Sequence, residues 1–301
     1  MSFDSDIAID RRRTRRHLKW WRLVSVIAIT ALLIVAFAEN SNVFTRSHIA
    51  RISVSGIIVE SQFRARTLRR IAANKKIKAL IVHINSPGGT VVGGESLYLD
   101  LRAVAAKKPV IAVMGTLAAS GGYMAALGAD HILAREGTVT GSIGVILQST
   151  DVTGLLGKLG IKAEAIKSAP LKAVPSPFEP LTQKGRIAAR TVVMDMYGQF
   201  VGMVAKRRDM SLVKARKLAD GRIFTGRQAL KLGLIDGIGG ETQARIWLTK
   251  SRDLAAKLPL KDVRTTRESD GPFDFFRQMM GKTLFSERLT LDGLISLWQP
   301  E

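Results

Sequence analysis

Between Leu117 and Gly122 of the stretch GTLAASGGY (residues 115–123), one hydroxyl stands among small residues, that of Ser120. A serine hydroxyl is a poor nucleophile at neutral pH. It needs a base within hydrogen-bond reach and N–H donors for the oxyanion that its attack creates. Glycines allow backbone N–H groups to approach a reacting carbonyl closely. They flank Ser120 as Gly121 and Gly122, and recur in NSPGG (residues 85–89) as Gly88 and Gly89. A serine at the head of a helix also feels the positive end of the helix dipole. The plainer alternative is a capping serine in a glycine-rich turn.

The base is harder to find. The chain has no cysteine, which removes disulfides, thiolate metal sites and a cysteine nucleophile in one step. Its four histidines are His17, His48, His83 and His131, and no pair has the i, i+4 spacing of a helical metal site. No metal and no cofactor is therefore expected. His83 lies inside ALIVHI (residues 79–84) and His131 begins HILA (residues 131–134), so both read as packed strand residues. Lysine remains. An amine serves as a base only where burial brings its pKa down toward neutrality. Lys158, Lys162, Lys167 and Lys172 are all candidates, and the ordinary fate of each is a solvated surface charge. Lys167 and Lys172 share IKSAPLKAVPSPFEPLT (residues 166–182), whose four prolines can hold a side chain rigidly.

The elements that must position these groups follow from periodicity. Residues 49–59 alternate and then run apolar, as a strand does. A basic helix is expected over residues 63–73, and a buried strand over 79–84 that NSPGG breaks. A helix over 94–106 places Leu97, Leu101 and Val104 on one face, and Pro109 opens a strand over 110–114. A short helix follows Ser120. A further strand is expected at 131–134, and TGSIGVIL (residues 140–147) reads as a glycine turn entering a strand. GLLGKLG (residues 154–160) reads as helical and KAEAI (residues 162–166) as strand-like. Strands alternating with helices indicate βαβ units and a largely parallel sheet. Ligands of such sheets bind beyond the carboxyl ends of the strands, where both glycine loops fall. Residues 181–209 predict a long helix with Val193, Tyr197, Phe200 and Val204 at helical spacing, facing either the core or a partner. Residues 221–240 read as a turn, a short helix and a glycine-stopped loop.

Net charge is +21, part of it concentrated in RRRTRRHLKWWR (residues 11–22). No nucleic-acid-binding motif accompanies the charge and aromatics are sparse, so no nucleic acid partner is expected; an anionic membrane surface is. Residues 20–38, WWRLVSVIAITALLIVAFA, are apolar apart from Arg22 and small hydroxyls. Nineteen helical residues span about 28 Å, close to a hydrocarbon core. The preceding arginines predict a cytoplasmic N-terminus and export of the chain beyond about residue 39. A cleavable signal peptide ending at AFA (residues 36–38) is the alternative, and the length of the apolar stretch favours an uncleaved anchor. The expected organisation is a basic cytoplasmic segment (1–19), a transmembrane anchor (20–38), an α/β domain (39–254) and a tail with apolar clusters (255–301).

The series INSPGG (84–89), ASGGY (119–123), TGSIGV (140–145), KSAPLKAVPSPFEPLT (167–182) and GRIFTGRQALKLGLID (221–236) resembles, in order and spacing, the signal peptide peptidase A (protease IV) family. The resemblance covers roughly residues 49–247. It implies a Clp protease/crotonase-like fold and a serine–lysine dyad. Ser120 falls on the family's nucleophile, Lys172 on its general base and Ser142 on a serine that orients the lysine. The backbone amides of Gly88 or Gly89 and of Gly121 fall on its oxyanion hole, and Tyr123 on a packing position. Ala169 stands where the family usually has glycine and Ala173 where it usually has aspartate. The resemblance further implies hydrophobic peptide substrates such as remnant signal peptides, and a homo-oligomeric ring in which the dyad crosses protomers. It implies a bacterial-type inner membrane with the catalytic domain periplasmic. Rival readings are an inactive membrane scaffold of the same fold, a crotonase-like acyl-CoA enzyme, and a protease of stomatin-like membrane-associated proteins.

Overall fold

A computed structural model describes residues 20–32, 47–265 and, at the backbone level, 295–297. The chain divides at Arg46/Ser47. In the first unit, residues 20–32 form helix α1 with exposed apolar side chains, Trp20, Leu23 and Ile27 among them. Its hydroxyls bond back along the helix, Ser25 Oγ to the Trp21 carbonyl and Thr30 Oγ1 to that of Val26. Among the described residues no helix is long and apolar enough to cross a membrane. Residues 1–19 and 33–38 of the expected N-terminal organisation lie outside the described residues.

The second unit is built on a nine-stranded sheet with path order β6-β5-β3-β2-β1-β8. Strands β1 (His48–Ile58), β2 (Ile77–Thr90) and β3 (Val110–Ala119) are parallel neighbours. Helices α2 (Gln62–Ala73) and α3 (Val91–Ala105) form the crossovers between them. These three strands are rich in β-branched residues and mostly buried, as parallel strands are, although β1 exposes Ser53, Ser55 and Ile57 toward its end. On one face Ile52, Val54, Leu80, Val82 and Ile84 pack with Leu97, Leu101, Tyr123 and Phe200. On the other, Ile49, Ile81, Ile111 and Val113 pack with Ala244 and Leu248 of α9 (Glu241–Arg252). Each such side chain contributes about 1.5–3 kcal/mol by burial, so strand register is strongly specified.

Strand β3 then divides the sheet. Its first half, Ile111–Val113, pairs with β4 (His131–Ala134), which continues to β7 (Gly237–Ile238). Its second half, Leu117–Ala119, pairs with β5 (Val139–Gly141), which continues to antiparallel β6 (Ile223–Thr225). The expected α/β architecture with a mainly parallel sheet is therefore present.

Several local expectations need correction. NSPGG does not end its strand; β2 runs on to Thr90, with register shifts against both neighbours. The backbone stays extended because β1 continues to pair with it, Ile57 opposite Gly88 and Ile58 opposite Gly89. In residues 140–147 the strand comes before the turn rather than after it: β5 is Val139–Gly141, and Gly141 at φ 83° and Ser142 at φ 48° then turn the chain. Residues 162–166 form no strand: they are exposed and no neighbouring strand pairs with them. Helix α3 begins three residues early, where Thr90 caps it by accepting the Gly93 N–H. The long helix is α6 (Gln183–Arg207), and its expected stripe faces the core, with Phe200 and Val204 buried and Tyr197 packed against them. Phe200, Val201 and Val204 are core, whereas Ile187, Val192 and Met194 are exposed. Between β5 and α6, short α5 (Thr153–Lys158) has no buried residue. Helices α7 (Leu212–Leu218) and α8 (Gly226–Leu232) follow, the latter closed by Gly233 at φ 78°. Strand β8 (Leu260–Asp262) pairs with β1 and β9 (Ile295–Leu297) with β2. Of the apolar tail clusters, Phe273 to Met280, Leu294 and Trp298 lie outside the described residues.

Candidate active site

Ser120 follows β3 directly and precedes the six-residue helix α4 (Gly121–Ala126). Its φ of 53° and ψ of −120° are those of a glycine at the first central position of a type II′ turn. A side chain there costs about 1–3 kcal/mol, a strain that collects at functional sites. The capping alternative fails, since the Ser120 side chain makes no capping bond to α4. The turn is held by the backbone: the Ser120 N–H donates to the Gly141 carbonyl at 2.8 Å, and its carbonyl accepts the Met124 N–H at 2.9 Å. Ser120 is 1% exposed.

That strand-end bond brings Ser142 near. Gly141 pairs with Ala119, and Ser142 follows it, buried, with its own N–H on the Arg222 carbonyl at 2.8 Å. The second glycine loop arrives from β2. A Cβ built on Gly121 would lie 3.2 Å from the Gly89 nitrogen, and one on Gly122 would lie 3.0 Å from the Ser86 carbonyl oxygen. The two glycine segments thus meet backbone to backbone, as their positions at neighbouring strand ends suggested. Gly88 has a φ of 119°, which only glycine adopts readily, and its N–H donates to Ser86 Oγ at 3.0 Å.

Ser86 is a positioning residue that sequence reasoning missed. Fully buried, its hydroxyl donates to the Gly56 carbonyl at 2.6 Å and accepts from Gly88. It ties the glycine loop to β1. The available signal was its place between a buried strand and Pro87-Gly88, where a hydroxyl has to satisfy backbone groups.

Gly89 is needed for space rather than for φ. A Cβ there would overlap the Ile58 carbonyl oxygen of the adjacent strand. Gly89→Ala should cost at least about 2 kcal/mol, because backbone cannot move aside as a side chain can. A melting curve of the variant checks this; an unchanged Tm would contradict the close approach of β1 and β2.

The histidines are engaged elsewhere. His131 stacks on Trp247 with ring centroids 4.7 Å apart and lies 3.9 Å from Asp236. Burial pushes its imidazole below the ordinary value, against the pull of Asp236. It pairs with Ile111 at the start of β3, whereas Ser120 follows the end of that strand, roughly 30 Å along an extended chain. His83 lines a cavity of about 560 Å³ with Ser55, Asn85 and Arg135. Tyr123 packs: it is fully buried, donates to the Leu234 carbonyl at 2.8 Å, and burial raises its phenol well above the ordinary range. Among the described residues, no group of acidic and histidine side chains could hold a metal ion.

Of the four lysines, Lys167 is bound in an ion pair with Glu179. Lys158 and Lys162 are exposed near α5. Lys172 is exposed too, on a turn where its N–H donates to the Ala169 carbonyl and Ala173 takes a φ of 59°. Among the described residues, three of the five non-glycine residues at positive φ are Ser120, Ser142 and the neighbour of Lys172. The other two, Asp209 and Asp253, sit at the ends of α6 and α9. The fold gathers Ser120, Ser142, Gly88, Gly89 and Gly121 at one strand end, and Lys172 stands on an exposed turn of the same chain.

Known proteins resemble this chain. Residues 102–255 match peptidase family S49, and residues 41–140 match the Clp protease family. A Synechocystis protein carrying a provisional protease name is 44% identical over 205 residues, 67% of this chain and 74% of that one. The Arabidopsis thaliana chloroplastic serine protease SPPA is 31% identical over 251 residues, 81% of this chain and 36% of that one. Among solved structures, a mutant of a membrane-bound stomatin-specific protease superposes with a TM-score of 0.49 at 16% identity, covering 73% of this chain and 99% of that one.

Proposed function

We propose that this chain, which belongs to peptidase family S49 and is a serine peptidase, is a membrane-anchored endopeptidase with a Ser120–Lys172 dyad acting on extended hydrophobic peptides. The observation that carries this reading is the strained Ser120 backbone set against the Gly88–Gly89 segment at a strand edge. Beyond Ser86, which pairs with Ala118, β3 ends at Ala119 and the chain turns at Ser120 into α4, while β2 runs on to Thr90. The β3-facing edge of β2 over Gly88–Thr90 is thereby released from its parallel neighbour, beside Ser120. A peptide added there as an extra strand would bring one of its carbonyls to the hydroxyl.

In this reading the Ser120 Oγ attacks the carbonyl carbon while the neutral Lys172 Nζ takes its proton. The oxyanion is stabilised by the N–H groups of Gly121 and Gly89, the Gly88 N–H being already engaged by Ser86. Collapse expels the amine, which receives the proton from Lys172. Water, deprotonated by the same lysine, then hydrolyses the acyl-enzyme. Ser142 orients the amine.

Ile57, which pairs with Gly88 from β1, and Val92, two residues after Thr90, are exposed apolar side chains next to this segment, and apolar surroundings suit apolar chains. Helix α1 supports the anchor, since apart from Arg22 at its start its side chains are apolar or small hydroxyls satisfied within the helix. In that topology the basic N-terminus is cytoplasmic and the catalytic unit extracytoplasmic. A second copy is the partner that the exposed Leu155, Leu159, Ile166, Phe178, Ile187 and Met194 favour. They surround the segment carrying Lys172, so a ring neighbour would desolvate that lysine.

A fluorophosphonate probe on native membranes tests the reading. The adduct should map to Ser120, vanish on unfolding, and stay with the membrane fraction after an alkaline carbonate wash. Peptide hydrolysis with no adduct at Ser120 would remove the nucleophile assignment, and labelled protein released by the wash would remove the anchor.

A further inference from the structure

We propose that the amino end of the parallel sheet is a lipid-facing surface, a basic cluster that settles on anionic headgroups and holds the Ser120 end of the strands away from the bilayer. The inference rests on the reading of residues 20–38 as a membrane anchor. Strands β1, β2 and β3 start level with one another, His48 opposite Ile77 and Leu80 opposite Val110, and β8 joins them with Leu260 opposite Ile49. The connections into these strands therefore open on one end of the sheet. They carry Lys75, Lys76, Lys107 and Lys257, with Arg70 in the last turn of α2 and Lys78 at the start of β2. All of these except Lys76 are exposed.

The cluster is held together by the fold. The Lys108 amine joins the connections, donating to the carbonyls of Ile71, Asn74 and Ile77 at 2.6, 2.8 and 3.0 Å. Burial, with the charges of Lys78 and Lys107 beside it, holds that amine below its ordinary pKa. Residues 61–94 contain seven lysines and arginines and no aspartate or glutamate. Among the described residues, none of the six cations at the sheet end is in an ion pair. Carboxylates on the flanking strands are taken, Asp130 by Arg102 and Asp262 by Arg51. Asp253, in the connection before β8, is one charge against six. Like charges gathered without counter-charges in the protein attract an anionic surface.

The chain also enters the sheet at this end. Residues 39–47 lie between the expected anchor and the start of β1 at His48, and fully extended they reach about 30 Å. Such a tether keeps the basic end at high effective concentration beside the bilayer, so a modest attraction per side chain is enough to orient the sheet. Ser120 stands beyond the far end of the ten-residue strand β3, about 33 Å along an extended chain. A peptide held in the bilayer then reaches the hydroxyl only through about ten extended residues clear of the headgroups. The orientation selects chains that project from the membrane over chains wholly buried in it.

The test places the full chain in nanodiscs of phosphatidylcholine, with or without phosphatidylglycerol, containing a lipid whose headgroup nitroxide quenches fluorophores on close approach. The chain has no cysteine, so Ala73→Cys and Thr116→Cys each accept a single fluorophore, the first at the basic end and the second toward the carboxyl end of β3. On phosphatidylglycerol discs, fluorescence should be lost at position 73 and kept at position 116. It should return at position 73 on phosphatidylcholine alone. Salt at about 1 M, where the Debye length is about 3 Å, should restore it as well. So should Lys75→Glu, Lys78→Glu and Lys107→Glu combined. Equal quenching at the two positions, or quenching at position 73 that ignores lipid charge and salt, overturns the proposal. A chain washed from the disc by salt would remove the anchor reading. Quenching at position 73 that depends on lipid charge before the wash would still support the surface. None of these readouts depends on catalysis.

Discussion

Ser120→Ala is expected to lower kcat for an unstructured apolar peptide by at least about 10,000-fold, since a peptidase without its nucleophile retains only oxyanion-hole and binding effects. The fold should survive. Alanine keeps the Cβ, and the Ser120 turn is held by its backbone bonds to Gly141 and Met124. The melting temperature should therefore move by no more than a degree or two. Ser120→Gly sharpens the test. Glycine adopts φ 53° and ψ −120° without a Cβ penalty, so this variant should be equally inactive but more stable, by about 1 kcal/mol or more. Inactive and stabilised together is the signature of strain kept for function. Substantial hydrolysis by Ser120→Ala would end the nucleophile assignment.

The second large effect is at Lys172. Lys172→Ala should reduce kcat by about 100- to 10,000-fold, the range for loss of a general base. Lys172→Arg should not rescue it, because a guanidinium does not deprotonate near neutral pH. Lys167→Ala should cost far less activity, since that amine is held by Glu179 and destined for structure. Loss of activity at Lys167 with none at Lys172 would reverse the assignment. The exposure of Lys172 adds a stronger consequence. An amine becomes a neutral base only when something desolvates it, and in this reading that is a neighbouring protomer. Mixing inactive Ser120→Ala and Lys172→Ala chains under exchange conditions should then restore about a quarter of wild-type activity, the fraction of randomly mixed head-to-tail contacts with both groups intact. No recovery after confirmed subunit exchange would place both groups of the dyad in one protomer.

Much of the candidate site could be read from sequence because its requirements are local. A hydroxyl among small residues, glycines after a β-branched run and the absence of cysteine are short-range facts. So is the alternation of apolar runs with helical stripes that announces a mainly parallel sheet. Periodicity reports which face a residue presents, and faces decide burial. The errors were also physical. NSPGG looked like a strand terminator because proline and glycine usually are, yet β1 supplies partners that keep the chain extended to Thr90. KAEAI looked like a strand, but a strand needs a neighbour and residues 162–166 have none.

What the sequence determined by itself, then, is the inventory: a candidate nucleophile at Ser120, glycine loops at 85–89 and 121–122, four lysines, and elements of the right period. Tertiary structure decided how these meet. Gly121 faces Gly89 across about thirty residues of chain because β2 and β3 are parallel neighbours. His131 is excluded because the same sheet puts it at the wrong end of β3. Ser86 matters because two distant backbone segments converge on its hydroxyl. The open edge of β2 exists only because β3 ends at Ala119 while β2 runs on to Thr90, and the tail segment 295–297 reaches it from the far end of the chain. Composition and spacing carry no record of such encounters. They are long-range pairings, selected by the burial of whole strand faces, and no local window contains both partners.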